Sequence, residues 1–128
     1  MEDRRQFIKK TATVAALGLV ADWASAARST DKWGNILPQR RLIRNGEKVT
    51  AFSLGGYHLG LTDKPKEAER MIERSMQLGV RFFDNARGYN HGRSEEYMGK
   101  FLTPKYRDKV FIMTKAPART GDGVRKQL

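Results

Sequence analysis

Three side chains of this sequence have the right types for shared proton chemistry: Asp84, Tyr89 and Lys115. Asp84 follows Val80 to Phe83, apolar but for Arg81, and Lys115 comes soon after the apolar run Val110 to Met113. Tyr89 lies between them, in a loop with Gly88 and Gly92. A phenol, with a pKa of about 10, is a weak acid at neutral pH. An ammonium beside a phenol favours the phenolate and so eases proton donation. A partly desolvated ammonium in turn needs a counter-charge, which a carboxylate supplies. Brought together, the three would form a proton donor to a carbonyl oxygen. Each also has a plainer use on its own, since strand-end aspartates anchor loops, loop tyrosines pack, and strand-end lysines are solvated. What matters, then, is whether the chain can bring positions 84, 89 and 115 to one place.

The surrounding pattern can do so. Arg41 to Arg44, Asn45-Gly46 and Glu47 to Thr50 read as a hairpin, with Asn-Gly suited to a type I′ turn. Phe52 to Gly56 reads as a short strand ending in glycines. Pro65 to Leu78 reads as a helix with Pro65 in its first turn and Thr62 or Asp63 as cap. Ala68, Met71, Ile72, Ser75 and Met76 share one face of it, and Gly79 supplies the stop. Val80 to Phe83 is a strand with almost no alternation, as expected when both faces are covered. Ser94 is placed to cap a second helix, with Glu95 and Glu96 in its first turn, Tyr97, Met98, Phe101 and Leu102 inward, and Thr103-Pro104 as its end. Lys109 to Thr114 is a third strand. Strands alternating with helices predict a parallel α/β sheet with right-handed crossovers. A doubly wound sheet and a (β/α)8 barrel both fit. The phosphate fingerprint Gly-x-Gly-x-x-Gly is missing after the first strand, which weakens the former. A barrel collects chemistry at the C-terminal ends of its strands, where Asp84 and Lys115 fall.

Composition narrows the classes further. The chain has 128 residues, a formal charge of +11 and no cysteine. Disulfides, thiolate catalysis and cysteine-based metal sites are therefore excluded within it. Its basic residues are scattered, with no run long enough for a nucleic-acid tract, so the charge reads as a solvated basic surface. Two histidines, His58 and His91, are too few for a metal site. Residues 1–26 run from charged (Asp3 to Lys9) through mildly apolar (Thr11 to Ala21) to small (Ala24-Ser25-Ala26), the order of a secretory signal. The apolar part is shorter than the roughly 20 residues a membrane span needs, so no stable membrane anchor is expected. Arg4-Arg5-Gln6-Phe7-Ile8-Lys9 resembles the twin-arginine signal. This resemblance implies export of a folded protein by the twin-arginine machinery, with cleavage near Ala26 and a periplasmic location. Residues 27–40 are polar and read as a linker.

The segment Gly79, Phe83-Asp84-Asn85-Ala86, Tyr89, Gly92, Ser94-Glu95, Gly99, followed by a strand ending Thr114-Lys115, resembles the aldo-keto reductase family. The resemblance extends from Arg41 onward, including the front hairpin and Val49 to Gly60. It implies the N-terminal portion of a (β/α)8 TIM barrel, comprising the hairpin and about three βα units in residues 41–128. It implies Tyr89 as general acid/base, assisted by Lys115 and Asp84. It implies a nicotinamide cofactor, NADP with NAD possible, near Gly55, Gly56, Tyr57 and Asp84, and a small carbonyl substrate. Asn85 stands where the family commonly has Thr, and Ser53 where it often has Gly. Some members of the family are non-catalytic nucleotide-binding regulatory subunits, which is the alternative reading. A whole barrel takes roughly 250 residues. The expectation is therefore an incomplete barrel, inactive on its own, without the family's fourth-strand histidine.

Overall fold

The structure, a computed structural model, describes residues 29–44 and 46–127. The signal reading of residues 1–26 falls outside the described residues.

At the centre is a three-stranded parallel sheet in the order β5-β6-β7. Its strands are β5 (Ser53–Gly55), β6 (Phe82–Asp84) and β7 (Phe111–Met113). Leu54 pairs with Phe83 and Phe83 with Ile112, so all three point to one face. There they meet the helices: Phe83 is fully buried, and Leu54 and Ile112 pack against the same cluster. The opposite face aligns Ser53, Phe82 and Phe111, with the two phenylalanine rings edge-on at 5.7 Å. Both rings are half-buried, because no helix covers this face among the described residues. The expectation of strands covered on both faces is therefore met on the helix side only. The unit is a partial α/β fragment of TIM-barrel type, and its sheet does not close.

Two crossovers connect the strands. The first contains α1 (Gly56–Leu59) and α2 (Pro65–Gln77), which buries Ala68, Ile72 and Met76. Its cap differs from expectation. Lys64 is the N-cap and makes no side-chain capping bond. The Thr62 hydroxyl lies two residues outside, accepting from Lys64 N at 3.2 Å and donating to Glu67 at 2.8 Å. The C-terminus ends as expected: Gly79 has φ +91°, its N–H donates to Met76 O, and Val80 N donates to Ser75 O. This double closure is the Schellman arrangement, and the left-handed residue in it favours glycine.

The second crossover is a continuous helical stretch in three parts: α3 (Arg93–Tyr97), a π turn (Met98–Leu102) and α4 (Thr103–Tyr106). Thr103-Pro104 does not end it. In the wide turn Thr103 N reaches back to Met98 O, while the Thr103 hydroxyl takes Gly99 O at 2.9 Å. The ladder is thus rearranged just before the residue that has no N–H to give. Tyr97, Met98, Phe101 and Leu102 are buried as expected.

At the N-terminal ends of the strands lies the hairpin of β3 (Gln39–Arg41) and β4 (Lys48–Thr50). Its turn is closed by Gly46 N donating to Ile43 O at 3.0 Å. Gly46 is therefore the last residue of a four-residue turn rather than a central one, a position that also favours glycine. Thr50 anchors the hairpin to β6 by accepting from Arg81 N at 3.1 Å.

The stretch read as a linker is folded where it is described. Strands β1 (Thr30–Asp31) and β2 (Gly34–Asn35) pair around a tight turn. Trp33 packs edge-on against Tyr106 at 5.1 Å. Asp31 receives two bonds from the Arg81 guanidinium, at 2.9 and 2.8 Å. The same guanidinium donates to Met76 O and Val80 O, both at 2.8 Å, and its side chain is 4% exposed. A buried arginine needs this full set of acceptors.

Arg81 holds the Asp31 carboxyl below the usual carboxylate range, chiefly through the hydrogen bond and against a smaller effect of burial. A lowered folded-state pKa stabilises the fold above the unfolded value, near 4, and that contribution is lost as pH falls through the folded value. Asp31→Asn is expected to cost about 2 kcal/mol at pH 7 and to flatten the acid limb of stability. Urea denaturation between pH 7 and pH 3 checks this, and an unchanged acid limb in the variant would contradict the assignment.

Candidate active site at the C-terminal rim

The strands of the sheet end level. Gly55, Asp84 and Met113 are register partners and share the face away from the helices. Beyond them the pairing of β6 and β7 continues, with Asn85 N donating to Met113 O at 2.7 Å and Arg87 N to Lys115 O at 3.1 Å. Lys115 therefore falls two residues past the register partner of Asp84, on the same face. Its side chain bridges that offset. The Lys115 ammonium donates to Asp84 Oδ1 and to Asn85 O, the latter at 2.8 Å. It also lies over the Tyr89 ring, 5.2 Å from the centroid. The three sequence-predicted residues are together at one rim. The ammonium's hydrogen bonds go to Asp84 and Asn85, and its contact with Tyr89 is with the ring.

The Asp84 hydrogen bond raises the Lys115 pKa above the ordinary lysine value, against a smaller desolvation, with Tyr89 adding in the same direction. The ammonium, charged at neutral pH in any case, holds its proton to higher pH for this pairing. A raised folded value means that its contribution is present below the unfolded pKa and is lost as pH rises through the folded one.

Tyr89 is held by its loop. Its N–H donates to Ala86 O at 3.0 Å, and the next residues turn left-handed, with Asn90 at φ +51°, His91 at +57° and Gly92 at +91°. This turn swings the chain into α3. It also sends two side chains across to α1. Asn90 Nδ2 donates to Tyr57 O at 2.7 Å, and the Ser94 hydroxyl donates to Gly56 O at 2.6 Å. Ser94 is thus no helix cap. Fully buried, it binds a carbonyl of the neighbouring crossover.

The glycine-rich end of β5 fits this clamp closely. A methyl group on Gly56 would lie 2.5 Å from Asn85 Oδ1. One on Gly60 would lie 2.6 Å from Asn90 Nδ2 and closer still to Ser94 Oγ. Gly55, by contrast, faces open space beside Asp84. Tyr57 is half exposed, and its ring meets that of Tyr89 edge-on at 5.6 Å. Gly55, Tyr57, Asp84, Tyr89 and Lys115 thus border one open rim, while Gly56, expected beside them, is buried behind it against Asn85. His58 stacks edge-on against Tyr57 at 5.6 Å, and His91 is exposed on the loop. Glu95 accepts from Thr114 Oγ1 at 2.7 Å, which joins α3 to the end of β7. Among the described residues no cluster of three His, Asp or Glu could hold a metal, and no helix is long and apolar enough to cross a membrane.

Sequence reasoning missed Asn85, Asn90 and the true role of Ser94. Asn85 is 2% exposed, accepts from Ala86 N at 2.9 Å and donates to the Met98 sulfur at 3.3 Å. A buried asparagine directly after a strand-end aspartate was the available signal.

The described unit is thus a parallel βαβαβ fragment that carries an acid, a phenol and an ammonium at its C-terminal rim. Residues 51–127 match the aldo/keto reductase family, and the chain belongs to that family. It is 36% identical over 80 residues to pyridoxal 4-dehydrogenase of Microbacterium luteolum, covering 60% of this chain and 23% of that protein. It is 40% identical over 69 residues to a Schizosaccharomyces pombe protein named as a voltage-gated potassium channel β subunit, covering 52% and 20%. An aldo-keto reductase from Bacillus halodurans, solved in its holo form, superposes with a TM-score of 0.56 at 26% identity, over 66% of this chain and 28% of that one. The chain thus spans about a quarter of the length of the relatives it matches.

The clamp makes a specific prediction. Ser94→Ala removes one of two donors to Gly56 O, which keeps the Gly60 N–H, and is expected to cost about 1 kcal/mol. Gly60→Ala is expected to cost about 2 kcal/mol through overpacking against Ser94. Combined, they should cost less than the sum, because removing the hydroxyl makes room for the methyl. Urea denaturation of the four proteins measures the coupling, and strict additivity would contradict the contact.

Proposed function

We propose that this unit carries the proton-donating corner of a nicotinamide-dependent carbonyl reductase. The observation that carries the reading is the ammonium of Lys115 held by Asp84 and lying over the Tyr89 ring. In this reading Tyr89 donates its hydroxyl proton to the carbonyl oxygen of a small aldehyde or ketone. Lys115 stabilises the phenolate left behind, and Asp84 keeps that ammonium in place. The glycine-rich end of β5 fits a flat ligand: Gly55 leaves open space beside Asp84, and the Tyr57 ring walls one side. Gly55, Tyr57 and Asp84 would border the redox end of NADP, with NAD as the alternative and Gly56 packed behind them. That cofactor supplies the hydride when bound. Membership of the family and the oxidoreductase name of the Microbacterium relative support the same reading.

A second reading, a nucleotide-binding regulatory subunit without turnover, is favoured by the likeness to the channel-subunit relative. Activity separates the two. For the full-length protein, Tyr89→Phe is expected to lower kcat for NADPH-dependent carbonyl reduction by about 10²–10⁴-fold while NADPH still binds. Tyr89→Phe at undiminished kcat would remove Tyr89 as the acid, and a wild type that binds NADPH without turnover would favour the subunit reading.

We also propose that residues 1–26 direct export through the twin-arginine route, as the order of charged, apolar and small residues supports. Replacing Arg4 and Arg5 together by Lys should retain the protein in the cytoplasm. Undiminished export of that variant, followed by fractionation, would contradict the proposal.

A further inference from the structure

Asn90 occupies a costly position. Its φ of +51° and ψ of +45° lie in the left-handed region, which glycine enters most easily and asparagine better than most other residues. His91, also left-handed, follows it. Strain of this kind persists where the surroundings over-determine the backbone. Here the surroundings are an amide with one acceptor on the other crossover and one on its own. Asn90 Nδ2 donates to Tyr57 O at 2.7 Å and reaches Ser94 Oγ at 3.4 Å, and Ser94 passes its own proton to Gly56 O at 2.6 Å. Two successive peptide carbonyls of α1 are thereby fastened to the loop that carries Tyr89. The side chain on one of those peptides is Tyr57, whose ring stands at 86° to the Tyr89 ring.

We infer that Asn90 is a positioning residue: its carboxamide sets Tyr57 against Tyr89 across two crossovers, and so presets the aromatic wall beside the proton donor. The inference rests on the carbonyl-reductase reading for its kinetic arm only. Asn90 touches neither Lys115 nor Asp84 by hydrogen bond among the described residues, so it acts through the two rings. Misplacing a wall residue by an ångström disturbs the orientation of the reacting groups, which costs rate.

The test uses the full-length protein with Asn90→Gly, which suits the backbone and deletes the amide, and Asn90→Asp, which tolerates the backbone but turns an acceptor toward Tyr57 O. Tyr57→Leu serves as the reference. The first readout needs no activity: tyrosine ring resonances followed by NMR with selectively labelled tyrosine. Tyr57→Leu removes the neighbouring ring and shifts the Tyr89 resonances. Asn90→Gly is expected to shift them in the same direction. Unmoved Tyr89 resonances in Asn90→Gly would overturn the inference, whatever the protein catalyses. The second readout is kinetic. The inference expects kcat for carbonyl reduction to fall about tenfold in Asn90→Gly and further in Asn90→Asp, with the NADPH dissociation constant changed less than twofold. Equal kcat in wild type and Asn90→Gly would also overturn it. A wild type with no reductase activity would overturn the functional reading alone, leaving the ring resonances to decide the positioning role.

Discussion

The parallel register that pairs Gly55 with Asp84 and Asp84 with Met113 is the constraint on which the rest of the molecule depends. Side chains along a strand alternate between faces, so a slip of one residue would turn Asp84 toward the helices. A carboxylate would then enter the cluster now filled by Phe83, where nothing pairs it. With the register in place, Phe83 is the residue buried and Asp84 faces the open side. Lys115 can then reach Asp84 from two residues beyond the end of β7.

The two ends of the sheet use charge differently. At the N-terminal end, Arg81 is almost fully buried and saturated by Asp31 and two backbone carbonyls. That arrangement holds the β1–β2 turn and the start of β6 in one piece. At the C-terminal end, the Asp84–Lys115 pair is far more open, with the lysine side chain 47% exposed. A pair that open contributes little to stability. It is, however, accessible to a ligand, as chemistry at a strand-end rim requires. Between the ends, the Asn90–Ser94 clamp ties one crossover to the next, and the glycines at 56 and 60 allow the close approach.

Much of this was legible in the sequence. The period of α2 and the largely apolar strands reflect local rules and appear where expected, and Asp84, Tyr89 and Lys115 lie at one rim. Two of the misreadings share a cause. Ser94 has the type and position of a helix cap, yet its hydroxyl is taken by a carbonyl 38 residues away. Asp31 and Arg81, 50 residues apart, gave no local hint of pairing, so the segment around Asp31 read as linker. Thr103-Pro104 looked like a helix end because the π turn that accommodates the proline has no signature in residue type. Long-range partners decided the first two cases, and they are invisible to a local pattern.

The central claim is that Asp84 holds the Lys115 ammonium at the rim beside Tyr89. A ¹⁵N NMR titration of the lysine side chains tests it most directly. The account predicts that Lys115 titrates above the ordinary lysine value, and that Asp84→Asn brings it back down toward that value. A Lys115 titration that is the same with and without the Asp84 carboxylate would contradict it.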